Sequence, residues 1–335
     1  MNSLTCKLFI TGGSGFIGHH FHNSYKQIDI INYDLQPPFE SKNSHFIQGS
    51  ILDAEKLSEN LAGIDFVLHL AATHFDFQKN YYRTNVDGTK VLLEEMSKKD
   101  IKNLIFYSSV AVYGALNNGV SEETNPEPNM PYGDSKYEAE KLIKAWAKED
   151  DNRSAIIIRP AVVFGAYNFG NVFNLIKQID SGFFLNIGGG ENIKSMVYVK
   201  NLVDYTISLM KEMKPGVSIY NAIDTPNYGI FDLTSIIAEK LGKKPPAKLP
   251  LPVAKLLALP FDLLNVLTGK DIIINSKRIE KFCSSTHFIP KKLEEEGVKQ
   301  KVPTGDAIKE TIDWYKSVDW KEKYAEWQER VKNYN

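Results

Sequence analysis

The stretch "TGGSGFIG" at residues 11–18 constrains the fold more than any other part of the chain. It follows a short apolar strand, "KLFIT" at 7–11, and opens a predicted helix. In this setting Gly12 permits a tight turn, Gly15 lets the backbone approach a pyrophosphate, and Gly18 lets helix and strand pack closely. The helix N-terminus then faces the negative charge. The alternative is a plain tight turn, but the flanking strand and helix favour nucleotide binding.

Apolar strands alternate with helices through the first half of the chain. Further strands are predicted at 28–34, 45–50, 65–72, 103–109 and 154–160. Such alternation is typical of a parallel sheet covered by helices on both faces. After Gly165 the pattern loosens, with helices predicted near 171–181, 201–213 and 230–242. The sequence therefore predicts an α/β fold, a doubly wound parallel (Rossmann) sheet with a smaller, mostly helical C-terminal substrate domain.

Length and composition limit the class of protein. The 335 residues suffice for about two domains. The predicted division is a nucleotide-binding domain at 1–165, to which 198–222 return, and a substrate-binding domain at 166–197 and 223–335. With 40 basic and 41 acidic residues and no long basic run, nucleic acid is not expected as a partner. Two cysteines make no disulfide framework, and a reducing cytosol is the simplest interpretation.

Asp34 ends the second predicted strand, sixteen residues after Gly18. A carboxylate there accepts hydrogen bonds from the ribose hydroxyls of NAD and repels a 2′-phosphate. No Arg or Lys is adjacent to it in the sequence. NAD is therefore favoured over NADP, the alternative being a turn-forming Asp at a strand end.

A second group of residues carries redox chemistry. Tyr132 and Lys136 lie at i and i+4 on one predicted helix, so their side chains are neighbours. A nearby ammonium and a positively charged nicotinamide ring both favour a phenolate. Tyr132 is then able to take a proton from a sugar hydroxyl, while Ser109, at the end of the fifth strand, holds that oxygen. Alone, Y-x-x-x-K is common on solvated helix faces; behind a glycine turn it indicates a dehydrogenase-type site.

Together these motifs resemble the extended short-chain dehydrogenase/reductases, in particular the NAD-dependent sugar epimerase/dehydratase group. The likeness covers essentially the whole chain and also includes "HLAA" (69–72), "NVDGT" (85–89), "RPAVVFG" (159–165) and "SMVYVKNL" (195–202). It implies that Ser109, Tyr132 and Lys136 are catalytic. It implies an NAD site formed by Gly12, Gly15, Phe16, Ile17, Gly18, Asp34, Leu35, Ser50, Ile51, Leu70, Ala71, Ala72, Asn85, Ser108, Tyr132, Lys136 and Pro160, and no metal.

Three positions depart from the pattern of epimerases that act on UDP-hexoses. Ser50 stands in "GSI" where the family often has Asp, and Val162 stands where UDP-galactose 4-epimerases have Asn. Lys194 replaces their phosphate-clamping Arg and lacks its bidentate fork. These departures argue against a standard UDP-hexose pocket. The candidate substrate contacts are Thr73, Val162, Asn168, Asn171 and Lys194.

Within the family, "GNVFNLIKQI" (170–179), "GGGENIKSMVYV" (188–199) and "KFCSSTHF" (281–288) are similar to bacterial epimerases acting on undecaprenyl-diphosphate-linked N-acetylhexosamine. The likeness implies C4 epimerisation of an N-acetylhexosamine on a diphosphate carrier, polyprenyl or UDP, through a 4-keto sugar, in surface polysaccharide synthesis. Two rivals remain open. One is a net sugar or sterol-type oxidoreductase or dehydratase of the same fold. The other is a non-catalytic NAD-binding subunit.

The segment 249–267, "LPLPVAKLLALPFDLLNVL", is unusually apolar for such an enzyme. Three prolines interrupt it, and it is too broken to span a bilayer. It has three interpretations, which are a buried helix, a dimer contact and an element lying in the membrane surface. Flanking lysines favour contact with anionic lipid. A homodimer is expected, located in the cytoplasm with peripheral contact at the inner face of the membrane.

Histidines and tyrosines supply further candidates. His19 and His22 lie one helical turn apart but lack acidic or Cys partners at ligand spacing, so we interpret them as partly exposed helix residues. His69 falls in a buried strand and is interpreted as a core histidine with satisfied hydrogen bonds. The tyrosines that could line the sugar site, or equally belong to core or surface, are Tyr81, Tyr82 and Tyr167.

Overall fold

The computed structural model describes residues 6–25, 27–38, 45–73, 81–115, 118–268 and 276–332. The strands are β1 (Lys7–Thr11), β2 (Asp29–Asp34), β3 (His45–Gln48), β4 (Phe66–His69), β5 (Asn103–Tyr107), β6 (Asn118–Val120), β7 (Ser154–Pro160), β8 (Val162–Phe164), β9 (Asn186–Ile187), β10 (Met196–Tyr198), β11 (Gly216–Ala222), β12 (Lys248–Leu249) and β13 (His287–Phe288). The helices are α1 (Phe16–Ser24), α2 (Ala54–Asn60), α3 (Gly88–Lys98), α4 (Pro131–Lys148), α5 (Asn171–Ser181), α6 (Val199–Lys211), α7 (Ile230–Leu241), α8 (Leu251–Thr268), α9 (Ser276–Cys283), α10 (Lys291–Glu295), α11 (Thr304–Ser317) and α12 (Trp320–Lys332).

Seven strands form one parallel sheet in the order β11-β7-β5-β4-β1-β2-β3. From β1 the chain builds outward through β2 and β3, and then crosses to β4 on the other side of β1. The loops after β1 and β4 therefore diverge at the carboxyl edge of the sheet and leave a crevice where such folds bind ligands. The predicted doubly wound parallel sheet is confirmed, and "GVSIYNA" joins it as the edge strand β11.

Alternation along each strand separates two cores. Leu8 and Ile10 pack on one face of the sheet with Leu202 and Val203 of α6. Phe9 points to the opposite face and packs with residues of α3 and α4, including Ile143. Because both faces are covered, the strands read as continuous apolar runs.

The helices after Gly165 share a third core, in which aromatic side chains are prominent. Phe169 and Phe173 make edge-to-face contacts with Trp314 and with Trp320 of the C-terminal helices. Ile237 of α7 completes the same cluster. This helical part follows the sheet as expected, although the predicted residue boundaries of the two domains stay a prediction.

Local structure differs from the sequence-based expectation at three places. Residues 81–99 carry apolar residues at the spacing of one helix, but a π-helical turn, Arg83–Asp87, precedes α3. Residues 114–131 are rich in Asn, Pro and Glu, a composition typical of a loop, but they contain β6, which pairs with β13 more than 160 residues later. In the segment 249–267, Leu249 ends β12 and the residues from Leu251 onward form one helix, α8, that continues through Pro260. None of the helices in the described residues is long and apolar enough to cross a membrane.

The expectation that His19 and His22 are partly exposed is wrong. Both are buried, as is His20 between them, because α1 packs against the sheet on one side and the segment near Ala166 on the other. Burial lowers the pKa of His20 and of His22 to about 4. The described residues contain no group of three or more His, Cys, Asp or Glu placed to hold a metal ion.

Candidate active site

The glycine turn after β1 presses against the chain after β4. Gly12 has φ +72°, and a Cβ there would fall 2.6 Å from the Ala71 nitrogen. A Cβ on Gly18 would fall 2.3 Å from the Gly13 carbonyl oxygen, inside the turn itself. Around Gly15 the nearest atom to a Cβ would be the Gly12 oxygen at 3.3 Å. The first and third glycines are thus required by packing, and the second leaves space above the turn.

That space suits the pyrophosphate of NAD. The helix α1 starts at Phe16 with Gly15 as its N-cap and without a side chain capping its first turn. Its leading N–H groups and the positive end of the helix dipole are therefore available to an anion. Phe16 and Ile17 form this first turn, and Leu70, Ala71 and Ala72 line the opposite side after β4.

Asp34 stands at the end of β2, beside the same turn. Its buried carboxylate accepts hydrogen bonds from the Ser14 nitrogen at 3.0 Å and the Gln36 nitrogen at 3.2 Å. Burial raises the pKa of this carboxyl, and the backbone donors and the positive charge of Arg330 oppose that effect. No basic residue is adjacent to Asp34 in the sequence, but in the folded chain the positive charge of Arg330 acts on its carboxylate.

The predicted adenine contacts follow β2 and β3. Leu35 is among the exposed large apolar side chains. Ser50 is held by Tyr33, whose hydroxyl donates to the Ser50 carbonyl at 2.9 Å. Ile51 is buried against Gly88, whose missing Cβ would fall 2.6 Å from Ile51 Cγ2.

Ser109, Tyr132 and Lys136 come together at the carboxyl end of β5. Ser109 follows that strand in extended conformation and accepts a hydrogen bond from the Ala111 nitrogen at 3.1 Å. Tyr132, in the first turn of α4, shares a hydrogen bond with Ser109. Lys136 is one helical turn further, 2% exposed, with Nζ 4.2 Å from the centroid of the Phe106 ring.

Burial dominates the electrostatics of these side chains. It raises the pKa of the Tyr132 phenol, and the hydrogen bond with Ser109 acts against that rise. Burial lowers the pKa of the Lys136 ammonium to about 7, and the Glu140 carboxylate acts against that fall. The protonation of both groups is thus sensitive to whatever charge enters the site. The effect of Lys136 on the tyrosine stays a prediction.

A buried ion pair that sequence reasoning missed lies beneath Lys136. Arg159 donates to both carboxylate oxygens of Glu140, from Nε at 2.9 Å and from a terminal nitrogen at 2.6 Å. Ser108 donates to the same carboxylate at 2.6 Å, and Tyr113 accepts from Arg159 at 2.8 Å. The side chain of Ser108, a predicted cofactor contact, is therefore directed into this network. The available signal was the i+4 spacing of Lys136 and Glu140.

Asn85 ties the loop after β4 to α4. Its side chain accepts from the Thr73 nitrogen at 2.9 Å and donates to the Thr73 carbonyl at 3.1 Å and to Ser135 at 3.0 Å. The Thr73 hydroxyl oxygen is buried and has no hydrogen-bond partner among the described residues. Tyr81, at 6.2 Å between ring centroids, flanks Tyr132 on the same side.

Residues 8–222 match the family model described as the NAD dependent epimerase/dehydratase family. The chain belongs to this family. It is an enzyme of the epimerase/dehydratase class, and its cofactor is NAD, which the open glycine turn and Asp34 fit.

Individual relatives extend the likeness beyond the nucleotide-binding half. The N-acetyl-α-D-glucosaminyl-diphospho-ditrans,octacis-undecaprenol 4-epimerase of Escherichia coli O157:H7 is 39% identical over 302 residues, which cover 87% of this chain and 89% of that protein. UDP-N-acetylglucosamine 4-epimerase from Methanobrevibacter ruminantium, solved with UDP-N-acetylmuramic acid, superposes with TM-score 0.72 at 22% identity over 93% and 99% of the two chains. UDP-glucuronic acid 4-epimerase from Bacillus cereus, solved with NAD, gives TM-score 0.73 at 21% identity over 92% and 98%.

Two of the predicted substrate contacts, Asn168 and Lys194, already make hydrogen bonds within the protein. The Asn168 side chain accepts from the Gly170 nitrogen at 2.6 Å and donates to the Val163 carbonyl at 3.1 Å, so it shapes the loop before α5. Asn171 is the first residue of α5 and is exposed. Val162 is exposed on β8. Lys194 donates to the Ser284 carbonyl at 2.5 Å.

The contacts of Tyr82 and Tyr167 show where these two tyrosines lie. Tyr82 is exposed and hydrogen-bonded to Asp134. Tyr167 packs against His19 and Trp314, with ring centroids 4.5 and 5.4 Å away. His69 is a core histidine, hydrogen-bonded to Thr11 and Thr89, as expected.

Proposed function

We propose that this enzyme is a C4 epimerase of an N-acetylhexosamine carried on a diphosphate, with a polyprenyl-diphosphate carrier favoured over UDP. The observation that carries the proposal is the 39% identity over 87% of the chain to an epimerase named for that lipid-linked sugar. The cluster of Ser109, Tyr132 and Lys136 beside the NAD crevice supplies the chemistry such a reaction needs. The setting is surface polysaccharide synthesis.

The reaction requires one proton acceptor and one hydride acceptor at the same carbon. NAD, when bound, would supply the hydride acceptor for C4 and the hydride donor to the other face of the keto sugar. Tyr132 takes the O4 proton as the 4-keto sugar forms and gives it back when the alcohol is regenerated. Ser109, hydrogen-bonded to Tyr132, holds the oxygen on which this proton moves. Lys136 holds the ribose of the cofactor and stabilises the phenolate by its charge.

The segment after Ser109 favours epimerisation over dehydration within the family. A dehydratase needs an acidic pair next to its catalytic Ser or Thr, to move a proton at a second carbon. Val110 and Ala111 stand there, in the 3-10 turn Val110–Tyr113. Val110 packs against a buried apolar cluster that includes Val112 and Phe288. An apolar turn supplies no second acid, so the keto sugar is returned rather than carried further.

The carrier is tested by offering UDP-N-acetylglucosamine and undecaprenyl-diphosphate-N-acetylglucosamine side by side, with the 4-epimer detected by chromatography. We expect kcat/KM to be higher for the lipid-linked sugar. Absorbance at the NADH band, followed in the same reactions, separates epimerisation from net oxidoreduction, because only the latter accumulates NADH. Exclusive reaction of the UDP sugar contradicts the lipid-carrier proposal but leaves the epimerase proposal standing.

We also propose that α8 lies against the membrane that holds such a carrier. Ala254 and Ala258 face the protein and pack with Ile279 of α9. On the other side Leu256, Leu257 and Leu259 are 66%, 59% and 56% exposed. The chain leading into α8 and the helix itself carry the lysines Lys240, Lys243, Lys244, Lys248 and Lys255. An apolar stripe with neighbouring positive charge is complementary to anionic lipid.

A further inference from the structure

The C-terminal helix α12 ends against the loop that follows β2. Gln36 Nε2 donates to the Arg330 carbonyl at 2.8 Å. The Arg330 guanidinium donates in return to the Pro37 carbonyl at 2.6 Å. These two hydrogen bonds join residues 294 and 293 positions apart. The contact is reciprocal and fixes the end of α12 to one short loop.

This loop belongs to the cofactor site. It begins at Asp34, which the fold places at the adenosine ribose of NAD, and it continues with Leu35. The positive charge of Arg330 reaches the Asp34 carboxylate and acts against the rise in pKa that burial causes. Arg330 therefore acts on this loop both by hydrogen bonding and by charge.

The rest of α12 is anchored in the helical part of the enzyme. Tyr324 and Trp327 pack on Phe169, with ring centroids 5.5 and 5.8 Å away. Val331 is buried next to Arg330. The helix thus links the aromatic core after Gly165 to the loop at the adenosine end of the NAD site.

We propose that Arg330 and Gln36 form a clasp that closes the adenosine end of the NAD site and slows release of the cofactor. Arg330 and Gln36 are positioning residues in this scheme, since they act through the loop 34–37 and through Asp34. An epimerase regenerates NAD in each cycle and has no need to exchange it. This rationale rests on the proposed function, whereas the clasp itself depends only on NAD binding.

The test measures NAD release without any sugar present. Protein loaded with NAD is separated from free cofactor, diluted, and sampled over time for NAD that remains bound. We compare Arg330→Ala and Gln36→Ala with Lys321→Ala, which removes one positive charge from the other end of the same helix. Loss of a hydrogen bond from a charged group changes a rate or equilibrium constant by about tenfold or more. Release from Arg330→Ala should therefore be at least about tenfold faster, release from Gln36→Ala several-fold faster, and release from Lys321→Ala unchanged.

Two readouts distinguish a clasp from general damage to the fold. The melting temperature of the NAD-free variants should match the wild type, and excess NAD should restore their kcat. Wild-type release rates in both Arg330→Ala and Gln36→Ala overturn the clasp. Faster release accompanied by a lower melting temperature without NAD, with kcat not restored, also overturns it. Since no sugar enters the release assay, neither result bears on the substrate.

Discussion

Two apolar segments of this enzyme differ in how far their side chains are buried. In "SAIIIRP", the strand β7, every residue is buried, because helices cover both faces of the parallel sheet. In "LPVAKLLALP", the first ten residues of α8, apolar side chains on one side pack on α9 while Leu256 and Leu257 face outward. Similar composition therefore serves two purposes. The strand belongs to the core of the sheet that carries the candidate site, and the helix leaves large apolar side chains exposed.

The comparison predicts that substitutions near β7 and β5 affect chemistry or folding, while substitutions on the exposed side of α8 affect only the binding of the enzyme to a membrane or a partner.

The largest effect is expected for Tyr132→Phe, because a positioned acid–base group contributes a factor of about 10²–10⁴ to the rate. We expect kcat to fall by about a hundredfold to ten-thousandfold in the epimer assay, with NAD still bound. Ser109→Ala is the companion variant and should lose less, since Tyr132 keeps its hydroxyl. Full activity of Tyr132→Phe would remove the tyrosine from the mechanism.

The second prediction concerns the ion pair below the site. Glu140→Gln leaves the guanidinium of Arg159 buried without a charged partner, and breaking such a pair costs about 3–5 kcal/mol. The free energy of unfolding, measured in urea, should fall by that amount. The double variant Glu140→Gln/Arg159→Met should recover part of it, because both buried charges are then absent. A change below about 1 kcal/mol in the single variant would show that the charge of Glu140 contributes little net stability.

The sheet was predictable because its strands are short apolar runs with turn residues between them, and the glycine turn marks the first crossover. The proximity of Tyr132 and Lys136 in the candidate site was predictable because they are local neighbours on one helix. The network around Glu140 was not, since a charged pair in a core contradicts the apolar pattern and its partners come from different elements. The contact of Arg330 with the loop after Asp34 joins opposite ends of the chain and leaves no local signal.

The outward side of α8 could not be identified from composition either. Apolar residues occur around most of the helix, so periodicity does not say which of them a neighbouring element covers. The structure identifies the covered side by the small residues Ala254 and Ala258, which pack against α9. Prolines at 252 and 260 suggested an interrupted segment, whereas the helix begins at Leu251, with Pro252 in its first turn where proline is tolerated, and continues through Pro260.

The third prediction addresses that exposed side. Burial of one leucine side chain is worth about 1.5–3 kcal/mol, so two should change binding by at least about a hundredfold. Leu256→Glu/Leu257→Glu should therefore lose binding to vesicles that contain anionic lipid, measured by co-sedimentation, while activity on a detergent-dispersed substrate is kept. Gln328→Glu adds a carboxylate at an exposed position of another helix and should bind like the wild type.

Wild-type protein that stays in the supernatant with anionic vesicles would contradict the membrane surface. If the same leucine variants then changed the molecular mass in solution from dimer to monomer, α8 would be a contact between two copies of the chain. In that case α8 would still differ from β7 in exposing apolar side chains, but those side chains would contact a second copy of the chain and not lipid.

The smallest effect is expected at Lys194, which lies between β7 and α8 in the sequence. Its ammonium donates to the Ser284 carbonyl, and the sequence predicts that it takes the place of the phosphate-clamping Arg of UDP-hexose epimerases. If it also meets the substrate diphosphate, Lys194→Met should raise KM about tenfold with kcat nearly unchanged, because one charge-assisted hydrogen bond is lost. Lys194→Arg should restore KM, since it keeps the charge. The alternative is a purely structural lysine that helps to join the two segments, together with the backbone hydrogen bonds of Thr286 to Ile193 and to Ser195. In that case Lys194→Met would lower the melting temperature, and KM would not respond to the charge at this position.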